Sequence, residues 1–230
     1  MTSVQQRAEV PSPIDFHDLA QARSWVDDTV TRRPCRPRFF EAFSVALSTY
    51  FEQPFSVAEL GSGPGHLAKA VLAQCNVAAY AAVDFSNAMH TIAREHLGQA
   101  ASAIRFVLAD FRESNWAGPI ASVDAVITMQ AAHEVRHKTR LPALFRQIRD
   151  VVRPGGLFLF CDHYAETGST KNSELFLSSD EQPTLLAEAG FSEVVRLLDE
   201  GGMAPTATLE VLQPAHNSQF CLWGESRTSK

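Results

Sequence analysis

The sequence has no dense run of lysine and arginine: these number 20 of 230 residues against 26 aspartates and glutamates, a formal charge of -6. Phosphate backbones are held by clustered cations, so nucleic acid is not expected as the partner. Cysteine is scarce and scattered. Cys35, Cys75, Cys161 and Cys221 form no CxxC pair, which argues against a zinc site or a redox motif, and Cys75 and Cys161 lie in apolar contexts expected of buried thiols. No apolar run of about 18 residues occurs, so no membrane partner is expected. The start, MTSVQQRAEVPSPIDF, has no charged segment leading into an apolar core. These absences together point to a cytoplasmic, reduced protein.

What is present is ordinary globular usage, 45% hydrophobic and 20% charged residues, enough for one main domain. No repeat or low-complexity tract interrupts it. Residues 1–50 read as a loose tail followed by a helical lid, and 51–230 as an α/β domain. In the first part, Asp18 is placed to cap a helix running to about Thr31, and Pro37 to start a second carrying Phe39, Phe40, Phe43, Leu47 and Tyr50 at helical spacing.

From residue 55 short apolar runs alternate with helical stretches, the pattern of βαβ units and a parallel sheet. Strands are predicted at Ser56–Leu60, Ala78–Asp84, Ile104–Ala109, Val123–Met129 and Gly156–Cys161, with helices at Leu67–Gln74, Ala88–Leu97 and Pro142–Val152. A helix at Asp180–Ala189 and strands at Glu193–Leu198 and Phe220–Gly224 complete the expectation. Ligands of such sheets bind beyond the carboxyl ends of the strands, where strand order reverses.

The chemistry-bearing residues cluster at those ends. Gly61, Gly63 and Gly65 follow the first strand and open a helix, so the backbone can turn tightly and leave room for a ligand. Glu59 adds a carboxylate that suits a ligand ammonium. Asp84 ends the second strand, where an acidic side chain can accept from both ribose hydroxyls, or cap the helix that Phe85-Ser86-Asn87 introduces. Asp110 ends the third, where a carboxylate can accept from an adenine amino group or cap a turn. A nicotinamide site would need a further glycine where His66 stands, and GxGxG with Pro64 inside fits a cofactor that has no phosphate to cradle.

These segments resemble the class I S-adenosylmethionine-dependent methyltransferases of small-molecule type: Val57-Ala58-Glu59-Leu60-Gly61-Ser62-Gly63-Pro64-Gly65, Val83-Asp84-Phe85-Ser86, Ala109-Asp110-Phe111 and Arg153-Pro154-Gly155-Gly156. The resemblance implies a Rossmann-like, seven-stranded, mostly parallel sheet with helices on both faces. It also implies that S-adenosyl-L-methionine is the cofactor and S-adenosyl-L-homocysteine the product. In that family pattern the glycine loop, including Ser62, and Glu59 hold the methionine portion, Asp84 the ribose, and Asp110 with Phe111 the adenine, with Phe85 and Ser86 also among the cofactor-binding residues. Met89 would pack on the adenine, and Met129 with Gln130 would flank the methyl donor.

The fourth and fifth strands end in Met129-Gln130-Ala131-Ala132-His133-Glu134 and Cys161-Asp162-His163-Tyr164, which places His133, Asp162 and His163 around a reacting methyl group. Histidine titrates near neutrality, so His133 first and His163 second are candidates for a general base, with the alternative that each only caps or binds oxygens. Asp162 would orient a histidine or bind substrate, and Tyr164 would contact substrate. His133, His137, Asp162 and His163 include metal-ligand types, but a solvated turn explains His137, between Arg136 and Lys138, better than a metal site. Phe16, Trp25, Phe39, Phe40 and Tyr164 are candidate pocket walls, and the loop Gly201–Pro205 a candidate cover. The expected activity is methyl transfer to oxygen or nitrogen of a small organic acceptor by a monomer or homodimer. A non-methylating use of the same cofactor and a non-catalytic scaffold are the alternatives.

Overall fold

The computed structural model describes residues 9–165, 173–200 and 207–214. Two helices come first, α1 (Leu19–Arg32) and α2 (Arg36–Tyr50), and then strands and helices alternate: β1 (Phe55–Leu60), α3 (His66–Gln74), β2 (Val77–Asp84), α4 (Asn87–Leu97), β3 (Ile104–Leu108), β4 (Val123–Met129), α5 (Leu141–Val151), β5 (Val152–His163), α6 (Glu181–Glu188), β6 (Phe191–Glu200) and β7 (Ala207–Pro214). The strands lie in the order β3-β2-β1-β4-β5-β7-β6. The parallel part of the sheet is the five strands β3 to β5, and β7 pairs antiparallel with both β5 and β6.

Period-two burial explains the apolar run Leu157–Cys161 of β5. Phe158 and Phe160 join one core with Phe145 and Ile148 of α5 and Leu186 of α6, while Leu157, Leu159 and Cys161 join another with Phe39, Phe43 and Leu47 of α2 and Val71 of α3. A strand buried on both faces reads as a continuous apolar run. The same geometry assigns Phe39, Phe43 and Leu47 of α2 to the core, sealed against the sheet rather than facing a ligand.

Local signals set the element ends. The Asp18 carboxylate caps α1 by accepting from Gln21 N, Pro37 stands in the first turn of α2, and the Ser86 hydroxyl caps α4 by accepting from Met89 N. Ser178 and Glu181 cap α6 reciprocally, each backbone N–H donating to the other's side chain. In β5, Val152 pairs with Val123, but the register then jumps to Leu157 against Ala125, so the Arg153–Gly156 turn is carried as a bulge inside the strand.

One strand is unexpected, and two expectations need correction. The antiparallel partner of β5 is Ala207–Pro214, whereas the strand expected at Phe220–Gly224 and the loop Gly201–Pro205 lie outside the described residues. The tail is not loose from residue 9 onward: Val10 N donates to Arg136 O at 2.9 Å, and the Arg136 guanidinium donates to Val10 O and Pro11 O. His137 is not on a solvated turn but 1% exposed, hydrogen-bonded to Glu174 and Thr139. Among the described residues no helix is long and apolar enough to cross a membrane.

Candidate active site

β1 and β4 are neighbours whose onward connections leave in opposite directions, so a crevice opens beyond their carboxyl ends. The glycine loop fills its floor. Gly61 adopts φ +67°, and a Cβ there would lie 2.2 Å from Ala131 Cβ, so only a bare backbone passes between β1 and the chain leaving β4. Two cavities adjoin across it. The larger, about 250 Å³, is lined by Gly61, Gly63, Asp84, Phe85, Met89, Phe111, Gln130, Ala131, His133 and Glu134, and is roofed by Ile14, Phe16, Trp25, Arg33, Arg136 and Phe176. The smaller, about 60 Å³, lies between Glu59, Ser62, His66 and Met129 on one side and Trp25, Arg36 and Phe40 on the other.

Glu59 is 3% exposed, with the Tyr80 hydroxyl donating to it at 2.7 Å. Burial, reinforced by the nearby Asp84 charge and only partly offset by that hydrogen bond, raises its pKa to about 8. No cation among the described residues pairs with it, so near pH 7 it is mainly the neutral acid. Ser62 Oγ is buried beside it with no hydrogen-bond partner among the described residues. Asp84 accepts from Gly63 N at 2.8 Å and Ser86 N at 2.9 Å, which fastens the glycine loop to the end of β2. Burial outweighs those bonds and raises its pKa to about 6.

On the opposite wall His133 is held twice by Asp162: its backbone N–H donates to Oδ2 at 2.9 Å, and its Nδ1 lies 2.7 Å from Oδ1. Its Nε2 is 3.4 Å from Glu134. Burial opposes a charged ring, but the two carboxylates outweigh it and raise the pKa to about 9. His133 is therefore an imidazolium near neutrality. That state can donate a hydrogen bond but cannot take a proton.

Several expected site residues stand elsewhere. Asp110 does not line either cavity; it forms a forked ion pair with Arg112, two residues on, and its carboxylate is held below its usual range because that pairing outweighs partial burial. Asp162 lies behind His133, orienting it and leaving no oxygen in the larger cavity. His163 is 3% exposed behind that carboxylate, with both ring nitrogens unpartnered among the described residues and its pKa pushed down to about 3 by burial. Tyr164 is buried away from both cavities, with Arg196 over its ring. The Ser86 hydroxyl is spent on capping α4 and on Phe16 O. Gly65 lines neither cavity, and a Cβ there would lie 2.9 Å from Leu97 Cδ1.

Of the expected aromatic walls, Phe16 and Trp25 line the larger cavity and Phe40 the smaller. Phe39 is wholly in the core. Sequence reasoning missed Glu134, Arg136, Arg33 and Arg36. Glu134 and Arg136 flank a nominated histidine, which was a usable signal, but Arg33 and Arg36 sit in the turn between two helices, with nothing local to show which way they face.

Residues 57–156 match a family model described as a methyltransferase domain. That segment, under half of the chain, is similar to a methyltransferase domain. The chain is similar to an uncharacterized methyltransferase of Oceanobacillus iheyensis, with 27% identity over 164 residues, 70% of this chain and 73% of the relative. Its fold is that of an O-methyltransferase family protein from Burkholderia thailandensis, with TM-score 0.70, 15% identity, and 92% of this chain and 66% of that one covered. It is also that of the N-methyltransferase NodS from Bradyrhizobium japonicum, determined with S-adenosyl-L-homocysteine, with TM-score 0.63, 15% identity, and 79% and 87% covered. The matched segment contains the glycine loop, Asp84 and His133, residues that line the crevice.

Proposed function

We propose that the protein is an S-adenosylmethionine-dependent methyltransferase acting on oxygen or nitrogen of a small organic molecule. The observation that carries this reading is the buried carboxyl of Glu59, with no ion-pair partner among the described residues, in the crevice beside the glycine loop. An ammonium group entering there would favour the ionised form of Glu59 and pair with it. The orphaned Ser62 hydroxyl and the bare Gly61 backbone fit the same cofactor. Glu59 and Ser62 would hold its amino-acid portion, Asp84 its ribose hydroxyls, and Phe85, Met89 and Phe111 its adenine ring. The bound cofactor supplies a methyl group on a sulfonium.

The chain's own contribution is position. A direct displacement needs the nucleophile held in line, and well-oriented models gain on the order of 7–11 kcal/mol from that alone. His133, charged and fixed by Asp162, is a donor that grips the acceptor rather than a base that deprotonates it. Residues 9–18 and α1 act as a lid that excludes water from the larger cavity. The cofactor would take part of the cavity of about 250 Å³, and the space left beside His133, roofed by the chain itself, suits a small acceptor rather than a macromolecule. Calorimetric titration with S-adenosylhomocysteine tests the cofactor assignment, with Asp84→Ala expected to weaken binding by about 1.5–3 kcal/mol through lost charged hydrogen bonds. Binding unaffected by that substitution would refute the ribose role.

A further inference from the structure

Arg33, at the carboxyl end of α1, and Arg36, at the start of α2, both point inward. Arg33 Nη1 and Arg36 Nε donate to the same acceptor, Gln130 Oε1, at 2.9 and 2.7 Å. Gln130 holds that oxygen there from a left-handed backbone, φ 53°, an uncommon conformation for a residue with a side chain. A guanidinium carries five donors, so one shared amide oxygen leaves most of the pair's capacity open. No carboxylate among the described residues lies within ion-pair distance of either. Asp162 attracts Arg33 from farther off, but its oxygens are committed to His133 and His163. Burial lowers the pKa of Arg36 to about 10, with repulsion from Arg33 adding to it, so both remain charged at neutrality.

Two desolvated like charges side by side, without a counter-ion, are costly unless an anion joins them. Planar guanidinium groups match carboxylate geometry. Two carboxylates can reach this place, that of the cofactor's amino-acid portion and one on the acceptor. Arg36 lines the smaller cavity with Glu59, whereas Arg33 lines the larger with His133, Trp25, Phe16 and Phe176. We infer that Arg33, backed by Arg36, binds a carboxylate of the methyl acceptor, so that the substrate class is an apolar or aromatic carboxylic acid. The inference rests on the methyltransferase reading given above. In this arrangement the acid group is anchored at the arginines, the apolar body lies against Trp25 and Phe176, and His133 reaches the remaining polar atoms.

The full-length protein saturated with S-adenosylhomocysteine is titrated by calorimetry with benzoate and with its neutral isostere benzamide. Benzoate is expected to bind about tenfold or more tightly than benzamide, the contribution of one charge-assisted hydrogen bond. Arg33→Gln should erase that preference while S-adenosylhomocysteine still binds, and Arg33→Lys should keep part of it. Equal binding of the two probes, binding of neither, or a benzoate preference that survives Arg33→Gln overturns the inference. Loss of S-adenosylhomocysteine binding in a folded Arg33→Gln protein, with the benzoate preference intact, assigns the anion to the cofactor and overturns it as well. Should Arg33→Gln not fold, Arg33→Lys decides alone: an undiminished preference overturns the inference. If the unaltered protein fails to bind S-adenosylhomocysteine, the cofactor reading falls, and the benzoate preference is then measured on the free protein, where its absence overturns the anion site separately.

Discussion

At the scale of single residues, protonation is the most accessible readout of the site. Glu59 is mainly protonated at pH 7 because its pKa stands near 8. A bound ammonium would pull that pKa down, so cofactor binding should release a proton. Calorimetry with S-adenosylhomocysteine at pH 7, in buffers of different ionisation enthalpy, should report close to one proton released, and Glu59→Gln should abolish the release. Buffer-independent heats would contradict the assignment of Glu59 to the ammonium. His133 behaves oppositely. Its pKa is raised from 6.5 to about 9, so the stability it contributes is fully present below pH 6.5 and is lost as pH rises through 9. That contribution is on the order of 2–3 kcal/mol, and urea unfolding between pH 6 and 10 should show it in the unaltered protein and not in His133→Gln. A pH slope identical in both proteins would sink the ion pair. Gly61 offers a steric test: Gly61→Ala sets a methyl 2.2 Å from Ala131 Cβ at φ +67°. That substitution should cost about 1–3 kcal/mol in thermal stability and block the crevice to cofactor.

At the scale of elements, the segment Glu9–Asp18 is a strap fastened at known points. Arg136 is 5% exposed and adopts φ 63°; it gives hydrogen bonds to Val10 O at 2.8 Å and Pro11 O at 2.7 Å and pairs with Glu134 at 3.1 Å. Arg140 and Arg112 add ion pairs to Glu9. Arg136→Ala should release the strap, raising hydrogen exchange of residues 9–16 and weakening cofactor binding about tenfold, as loss of hydrogen bonds from a charged group implies. Unchanged exchange across that segment would show that the strap is held elsewhere. None of this was legible in the sequence, because it joins residues more than a hundred positions apart and uses backbone carbonyls, which carry no residue signature. The βαβ elements were legible for the opposite reason. Period, caps and the glycine loop are local, so β1, β2 and β4 fell where the apolar runs placed them. The site was legible only at strand ends: Glu59, Gly61, Asp84 and His133 project from them into the crevice. Asp110 shares the same sequence logic, but Arg112 two residues later takes its carboxylate.

At the scale of the molecule, binding and stability are linked. A cofactor held by residues of β1, β2, β4 and the strap can bind only the folded chain, so 100 times its dissociation constant should add about 2.7 kcal/mol. For a chain of 230 residues that predicts a rise in melting temperature of about 5–10 °C with S-adenosylhomocysteine, measurable by scanning calorimetry. No rise at saturating ligand would refute the cofactor site. The pairing of β5 with β7 has a consequence for synthesis. Leu159 pairs with Val211 and Cys161 with Leu209, so one edge of the central apolar strand stays open until residues near 214 have left the ribosome. A nascent chain stalled before Ala207 would present β5 as a template for other chains, and β7, the last strand among the described residues, closes that edge against aggregation.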